Sequence, residues 1–519
     1  MADILLTTIN AKWIHPSLAL RLLKANLGPF EARCEILEFA LRQSLAEKTE
    51  GILAARPQVL GVSVSIWNHL ATIELLKELE KMWGSEKPVV VLGGPEVSHL
   101  PQDAEIFALA DYVIRGEGET AFGTLCEKIF DEKHHADGRR DTAMFQDRRV
   151  QFIDAENVDV GQIKSAYHLY TGEDWTDMSK KLIYVESSRG CPFSCEFCLS
   201  SVRSAEGEKN VLREFPLEPF LDQMDELVLR GVKTFKFLDR TFNINIKRAL
   251  RIMEFFLKKI EERKGNLVVH FEMVPSLFPC ELREMLSRFP PGTLRIEVGI
   301  QTLNAEVASR IGRPVWRSQT VKTEEELEIV RFLREKTNAI IHADLIAGLP
   351  GEDLVSFGKG FDRLWLALSE TERKPAETHS EIQLGILKLL PGVPISRHND
   401  SFGMRYNSLP PYEIEETSAM SARDIRRIKN FARFWEIIIN RKNFSPCISN
   451  CQKDSTTLYE VFSNEPVFEK FMILSDLLFA HFGRNWGIDK NELRAAVQKF
   501  IFSNAILEPT TVMKKDLDA

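Results

Sequence analysis

Apolar residues along the chain alternate between two patterns, short unbroken runs and longer stretches in which they recur at helical spacing. In the first quarter the runs fall at residues 4–9, 34–38, 59–64, 89–92 and 112–114, with helix-period stretches at 17–27, 45–55 and 71–82. A strand that is apolar throughout is buried on both faces, so this series predicts a parallel sheet covered by helices on each side. Ligands of such sheets sit at the carboxyl ends of the strands, where this chain concentrates Gly, Ser, Asn and Pro. The pattern weakens over 136–180, read as a linker. A second α/β series follows, with strands at 182–185, 234–238, 267–271, 294–298, 340–346 and 382–387, and six strands at these intervals predict a partial or full β/α barrel. Beyond Pro391-Gly392-Val393-Pro394 the strand signal fades. Residues 422–440 read as an amphipathic helix, with Ile425, Ile428, Ala432, Trp435 and Ile439 on one face. The expected organisation is an N-terminal α/β domain over 1–135, a barrel core over 181–395 and a mainly helical domain over 396–519.

Composition narrows the class. A chain of 519 residues exceeds one ordinary core. Its 44% hydrophobic and 27% charged residues are those of a globular protein. The net charge of −8 supplies no general field for nucleic acid. A local basic arc, Arg423, Arg426, Arg427, Lys429 and Arg433, reads either as a solvated face or as a contact for an anionic partner. The N-terminal residues read as a first strand and not as a signal peptide, and no apolar run approaches the ~18 residues that span a bilayer. Eight unevenly placed cysteines are too sparse for a disulfide scaffold and point to metal binding in a reducing compartment. The expectation is a cytoplasmic enzyme without a membrane partner.

The chemistry concentrates at Ser188-Arg189-Gly190-Cys191-Pro192-Phe193-Ser194-Cys195-Glu196-Phe197-Cys198. Three thiols within eight residues, just after a strand, suit an iron–sulfur cluster. Three protein ligands for a four-iron cube leave one iron open for chemistry. A structural zinc site would want a fourth ligand, and none of the next residues is Cys or His. Elsewhere, His134 and His135 read as a solvated pair or a metal contact, and Cys447 and Cys451 as structural or free cysteines, with metal binding or a redox role as the alternatives.

The CxxxCxxC spacing, with an aromatic residue before the third Cys, resembles the radical S-adenosylmethionine (SAM) superfamily. The resemblance implies a [4Fe-4S] cluster on Cys191, Cys195 and Cys198 whose open iron chelates SAM. Reduction then cleaves SAM to methionine and a 5′-deoxyadenosyl radical. Further strand-end residues match in order and imply SAM contacts: Phe197 beside the cluster, Asp239 for the SAM amine, Glu272 for ribose or carboxylate. Glu297 and Gln301 stand in a segment similar to E-x-G-x-Q-S/T, and Gly348 and Leu349 lie in a segment similar to the one along the adenine.

An α/β domain directly before such a core is similar to the cobalamin-dependent (class B) branch. The matching loops imply cobalamin contacts at Pro16 and Ser17; at Ser63, Ser65, Ile66, Trp67 and Asn68; at Gly93, Gly94, Pro95 and Glu96; and at Arg115, Gly116, Glu117 and Gly118. Glycines there admit a flat macrocycle, and hydroxyls and amides suit its amide arms. No D-x-H-x-x-G motif is present, so the resemblance implies cobalt without a histidine ligand from the protein, faced by the Ser65–Trp67 loop. Residues 396–519 resemble a domain of unknown function (the DUF4080 type) fused to such cores. The family resemblance implies methyl transfer to an unactivated carbon of a small-molecule or peptide substrate, with an electron donor such as flavodoxin or ferredoxin. A rearrangement or cyclisation on the same cofactors, or a non-catalytic cobalamin and iron–sulfur binding protein, stays open at this point. A cavity between the two α/β domains, roofed by the C-terminal helices, is the expected site.

Overall fold

The computed structural model describes residues 3–135, 150–170, 180–202, 211–313, 323–369, 380–441 and 466–502. Cys447, Cys451 and the polar tail from Lys514 lie outside these residues, as do the side chains of His134 and His135.

Six strands build the first sheet: β1 (Ile4–Asn10), β2 (Cys34–Ala40), β3 (Val59–Ser63), β4 (Val89–Gly93), β5 (Tyr112–Arg115) and β6 (Gln151–Asp154). They run parallel in the order β2-β1-β3-β4-β5-β6. Alternate residues of one strand serve two different cores. Leu5 and Ile9 of β1 join Leu60, Val62, Val90 and Leu92 on one face, while Ile4 and Leu6 join Val59 and Val91 on the other. This is why the strands carry no polar alternation. Helices α2 (Leu45–Ala55) and α3 (His69–Trp83) cover the first face, and α1 (Leu18–Ala25) and α4 (Gly118–His135) the second. Strand β6 comes from the stretch read as linker. It is an edge strand with polar ends, Gln151 and Asp154, and so lacks the apolar signature of its neighbours.

The second sheet is also parallel. Its strands are β7 (Ile183–Val185), β10 (Thr234–Phe237), β11 (Val268–Met273), β12 (Leu294–Gln301), β13 (Ile340–Ala347) and β14 (Ser380–Ile386), in the order β14-β13-β12-β11-β10-β7. Strands β7 and β14 are edges, so the barrel is partial. Between β7 and β10 the chain forms a small antiparallel pair, β8 (Ser188–Arg189) with β9 (Arg213–Glu214).

The C-terminal region shares the barrel's core and does not build a separate one. Phe361, from the helix Leu354–Ser369, stacks edge-on against Phe431 and Trp435 of the helix Ala422–Trp435, with ring centroids 5.2 and 4.8 Å away. Phe471 of the helix Val467–Phe482 closes on the same two rings. A hairpin, β15 (Arg405–Tyr406) with β16 (Ile414–Glu416), lies in the region where no strand was expected. The basic arc is partly built into the fold: Arg427 pairs with Asp476 at 2.7 Å, Lys429 pairs with Glu413 at 2.8 Å, and Arg433 donates to the Asn485 carbonyl. Among the described residues no helix is long and apolar enough to cross a membrane.

Candidate active site

A cavity of about 480 Å³ opens between the two sheets. The N-terminal domain lines it with Ser63, Gly93, Gly94, Pro95, Gly116, Glu117 and Gly118, all at strand ends. The barrel side contributes Glu186, Ser188, Arg189, Gly190, Leu238 and Arg240. Gly190 immediately precedes Cys191, so the cavity reaches from the Gly93–Gly94 turn to the start of the cysteine loop. Among the described residues no C-terminal helix lines it, so the expected roof is not found there. That region touches the N-terminal domain beside the cavity instead, where Tyr412 donates to buried Glu96 at 2.6 Å and Glu96 meets His69 at 2.8 Å.

The cysteine loop is clamped on several sides. Cys191 Sγ lies 3.7 Å from the Thr241 hydroxyl and Cys195 Sγ 3.9 Å from the Arg313 guanidinium. Burial pushes both thiols up, and the three thiols act on one another electrostatically. Glu196, between the second and third cysteines, donates its N–H to the Ile311 carbonyl and accepts from the Ile395 N–H, each at 3.0 Å. Its carboxylate pairs with Arg397 and His398. A side chain at Gly312 would fall 2.6 Å from the Ser194 carbonyl, so only glycine lets this segment approach the loop.

An ion network crosses the domain boundary. Arg189 pairs with Glu119 at 2.6 Å, with Glu186 at 2.9 Å and with Glu117 at 3.5 Å, while Arg213 takes Glu117 from the other side. Glu186 is nevertheless pushed up to about 7, chiefly by burial and against the pull of Arg189. Glu117 stays below the usual carboxylate range because Arg213, Arg189 and the Val158 N–H together outweigh its burial.

The family models match the same two halves. The radical SAM superfamily model covers residues 185–362, and the B12-binding domain model covers residues 4–125. Residues 185–362 thus match a radical SAM domain and residues 4–125 a B12-binding domain, and the cofactors that go with these two domains are a [4Fe-4S] cluster with SAM and a cobalamin. Among curated proteins, an uncharacterized methyltransferase, PH0819 of Pyrococcus horikoshii, is 28% identical over 205 residues, covering 38% of this chain and 42% of the relative. The 2-(S-pantetheinyl)-carbapenam-3-carboxylate methyltransferase of Streptantibioticus cattleyicolor is 24% identical over 376 residues, covering 68% and 50%. The chain thus spans half or less of the length of these relatives. Among solved structures, the cobalamin-dependent SAM radical enzyme OxsB superposes with a TM-score of 0.62 at 15% identity, covering 99% of this chain and 80% of that one. The radical SAM methyltransferase TsrM of Kitasatospora setae gives 0.55 at 17%, covering 81% and 80%. At these identities the superpositions speak for the fold.

The residues fit both groups. Gly94 has φ +103°, and a side chain there would meet the Val64 carbonyl at 2.6 Å; at Gly93 the nearest such atom is 3.8 Å away. The turn is open on its cavity side and closed behind, which suits close approach of a flat ring. Among the described residues no three His, Cys, Asp or Glu side chains are gathered tightly enough for one metal ion. Thiols that each bind a different iron of a cube need not be.

Several residues expected to touch cofactors are committed elsewhere. Asp239 turns inward: it accepts from the Ser187 N–H at 2.9 Å and from the Ser187 and Ser188 hydroxyls at 2.6 Å, and burial raises its carboxyl. Leu349 is fully buried, and a side chain at Gly348 would strike Ile414 at 2.6 Å, so this segment packs on the C-terminal hairpin. The Asn68 amide staples the ends of β1 and β3 through the Thr8 hydroxyl and the carbonyls of Ile9 and Ser63. Ser17 caps α1, Arg115 lies over Phe152 and donates to the Leu100 carbonyl, and Glu96 is tied to His69 and Tyr412. Pro16 and Ser65 are buried, Ile66 is half-buried and Trp67 is exposed; none of them lines the cavity. His15 meets the Tyr184 hydroxyl at 3.0 Å.

Phe197 packs against the barrel core beside Cys198. Gln301 sits at φ +69° after a bulge in β12, with its amide folded over Gly299. Glu272 and Glu297 are register partners on β11 and β12 and lie 3.9 and 3.0 Å from Lys236. Reading from sequence assigned no role to Thr241, Arg313, Glu196 or Arg189, although Arg189 and Glu196 stand inside the Ser188–Cys198 segment, because no spacing rule marks a residue that braces a ligand loop through partners far along the chain.

Proposed function

We propose that this chain is a cobalamin-dependent radical SAM methyltransferase acting on an unactivated carbon of a small-molecule or peptide substrate, in a reducing, cytoplasmic setting. The supporting observation is one cavity that the Gly93–Gly94 turn and Gly190, the residue before Cys191, line together. When bound, the reduced cluster with SAM supplies a 5′-deoxyadenosyl radical for hydrogen abstraction, and cobalamin supplies a transferable methyl group. Cys191, Cys195 and Cys198 hold the cluster, and Thr241 and Arg313 pack on two of their sulfurs. The Arg189 network fixes the distance between the two halves. Such chemistry needs reactants held in line and shielded from water, because a primary radical attacks what lies nearest. The methyltransferase names of two relatives favour transfer over rearrangement.

The test is anaerobic reconstitution with iron, sulfide and hydroxocobalamin, followed by product analysis after reduction with SAM. The expected products are 5′-deoxyadenosine together with S-adenosylhomocysteine. The Cys191→Ala/Cys195→Ala/Cys198→Ala protein retains the cobalamin spectrum and makes neither. Deoxyadenosine without S-adenosylhomocysteine would replace methyl transfer with a rearrangement, and wild type that cleaves no SAM would overturn the reading altogether.

A further inference from the structure

Residues 94–99 join the two glycine turns that the N-terminal domain presents to the cavity. The Ser98 hydroxyl donates to the Gly94 carbonyl at 2.9 Å and accepts from the Gly116 N–H at 3.2 Å. Gly94, Pro95, Ser98 and Gly116 all line the cavity, whereas Glu96 does not. On its inner side the loop is held by Val97, which is fully buried, and by the Glu96 N–H, which donates to the Val64 carbonyl at 3.2 Å.

The outer side of the loop is held from the barrel. Beyond β14 the Leu387 N–H donates to the Ala347 carbonyl, and the Leu387 carbonyl accepts from the Ile414 N–H. The Leu389 N–H donates to the Tyr412 carbonyl, and Lys388 bridges Glu413 in antiparallel fashion, so the hairpin strand is fixed to the sheet's edge. Tyr412 reaches from there into the other domain. Its hydroxyl donates to Glu96 Oε1 at 2.6 Å, and His69 Nδ1 stands 2.8 Å from the same oxygen. The Glu96 side chain is 2% exposed, and a carboxylate so enclosed is costly without hydrogen bonds. Tyr412 makes this contact at φ +54°, a conformation that bulky residues seldom adopt and that persists only where the surroundings fix it. A second contact meets the far end of the loop: a side chain at Gly392 would fall 3.1 Å from His99 Cβ, so the backbone there rests directly on His99.

We propose that Tyr412 is a positioning residue for the cobalamin-binding half, acting through Glu96, so that the C-terminal hairpin sets the spacing of the two glycine turns. The inference rests on the functional reading above for the cofactor of that half. It gives the C-terminal region a part in a cavity that none of its described residues lines. Both apolar cores of the N-terminal domain are complete without the hairpin, so losing the Tyr412 hydroxyl loosens the loop and leaves the domain folded.

The test is a titration of hydroxocobalamin into the full, anaerobically reconstituted chain, followed by absorbance, with iron content and SAM cleavage measured on the same samples. Tyr412→Phe is expected to weaken cobalamin about tenfold at unchanged iron content. Glu96→Ala should weaken it as much, and Tyr412→Phe/Glu96→Ala no further, because the two residues act in series. Glu96→Gln keeps an acceptor for the tyrosine and should retain most of the affinity. Arg405→Gln breaks the exposed Arg405–Glu416 pair of the same hairpin and should leave cobalamin affinity unchanged. A loss in Arg405→Gln equal to that in Tyr412→Phe, or a Tyr412→Phe protein that loses iron and cobalamin alike, means general loosening and overturns the inference. Additive effects of Tyr412→Phe and Glu96→Ala, or Tyr412→Phe affinity within about twofold of wild type, overturn it too. Wild type that binds no cobalamin removes the inference together with the cofactor. Wild type that binds cobalamin and cleaves no SAM overturns the function and leaves the role of Tyr412 to stand or fall on the titrations.

Discussion

Asp239 accepts three hydrogen bonds from the end of β7, and both donor residues lie within four positions of Cys191. Removing the carboxylate leaves three donors buried near the cluster loop, and each such group costs about 1–3 kcal/mol when unsatisfied. Asp239→Ala is expected to lose more than half of the bound iron, with Asp239→Asn intermediate, measured as iron and sulfide per chain. Glu352 gives a second prediction at this scale. It is buried, accepts from the Thr302 hydroxyl at 2.6 Å, and burial pushes it up to about 7. The folded state then keeps a proton that the unfolded chain releases near the ordinary carboxyl value, so its contribution to stability is present at low pH and is lost as pH rises through about 7. Glu352→Gln should therefore melt higher than wild type at pH 8, by about 1–3 kcal/mol, and match it at pH 5. Apparent melting temperatures at the two pH values check the sign.

At the scale of elements, the Gly93–Gly94 turn ends β4 in a conformation that a side chain would strain twice, by its φ of +103° and by the Val64 carbonyl behind it. Gly94→Ala is expected to lower cobalamin uptake about tenfold while iron content stays normal, read from the absorbance of the two chromophores. Most elements were legible because buried parallel strands announce themselves as unbroken apolar runs, and both sheets appear where those runs stand. β6 was not legible, because an edge strand ending in Gln151 and Asp154 resembles a loop. The cysteine loop and the Gly93–Gly94 turn could be read because backbone freedom and thiol spacing belong to local sequence. The direction in which a strand-end carboxylate turns is decided by partners far along the chain. Ser187 and Ser188 claim Asp239, and Ile414 covers Gly348, and neither event leaves a local trace.

At the scale of the whole molecule, the two halves are joined by charges that are mostly out of water. Arg189 and Arg213 on the barrel side hold Glu117 and Glu119 on the other, and breaking a buried pair costs more than the pair contributes. The Arg189→Gln/Arg213→Gln protein is expected to melt in two separated calorimetric transitions where wild type shows one, with the N-terminal half melting first. It should still load iron, since no cysteine is touched, but form product at least tenfold more slowly because the two cofactors lose their fixed separation. A single transition with normal turnover would deny the network this role.

The contacts of Glu196 also bear on the order in which the molecule is made. This residue, lying between the second and third cysteines, is held by Ile395, Arg397 and His398, and its partner Arg397 is 201 positions downstream. At ribosomal speeds of roughly 5–20 residues per second, that interval amounts to about 10–40 s of synthesis. For that time the three thiols stand without one of the segments that clamp their loop. Iron uptake by this chain is accordingly expected to be complete only after translation has passed residue 398, since a nascent chain halted before that point lacks one wall of the cysteine loop.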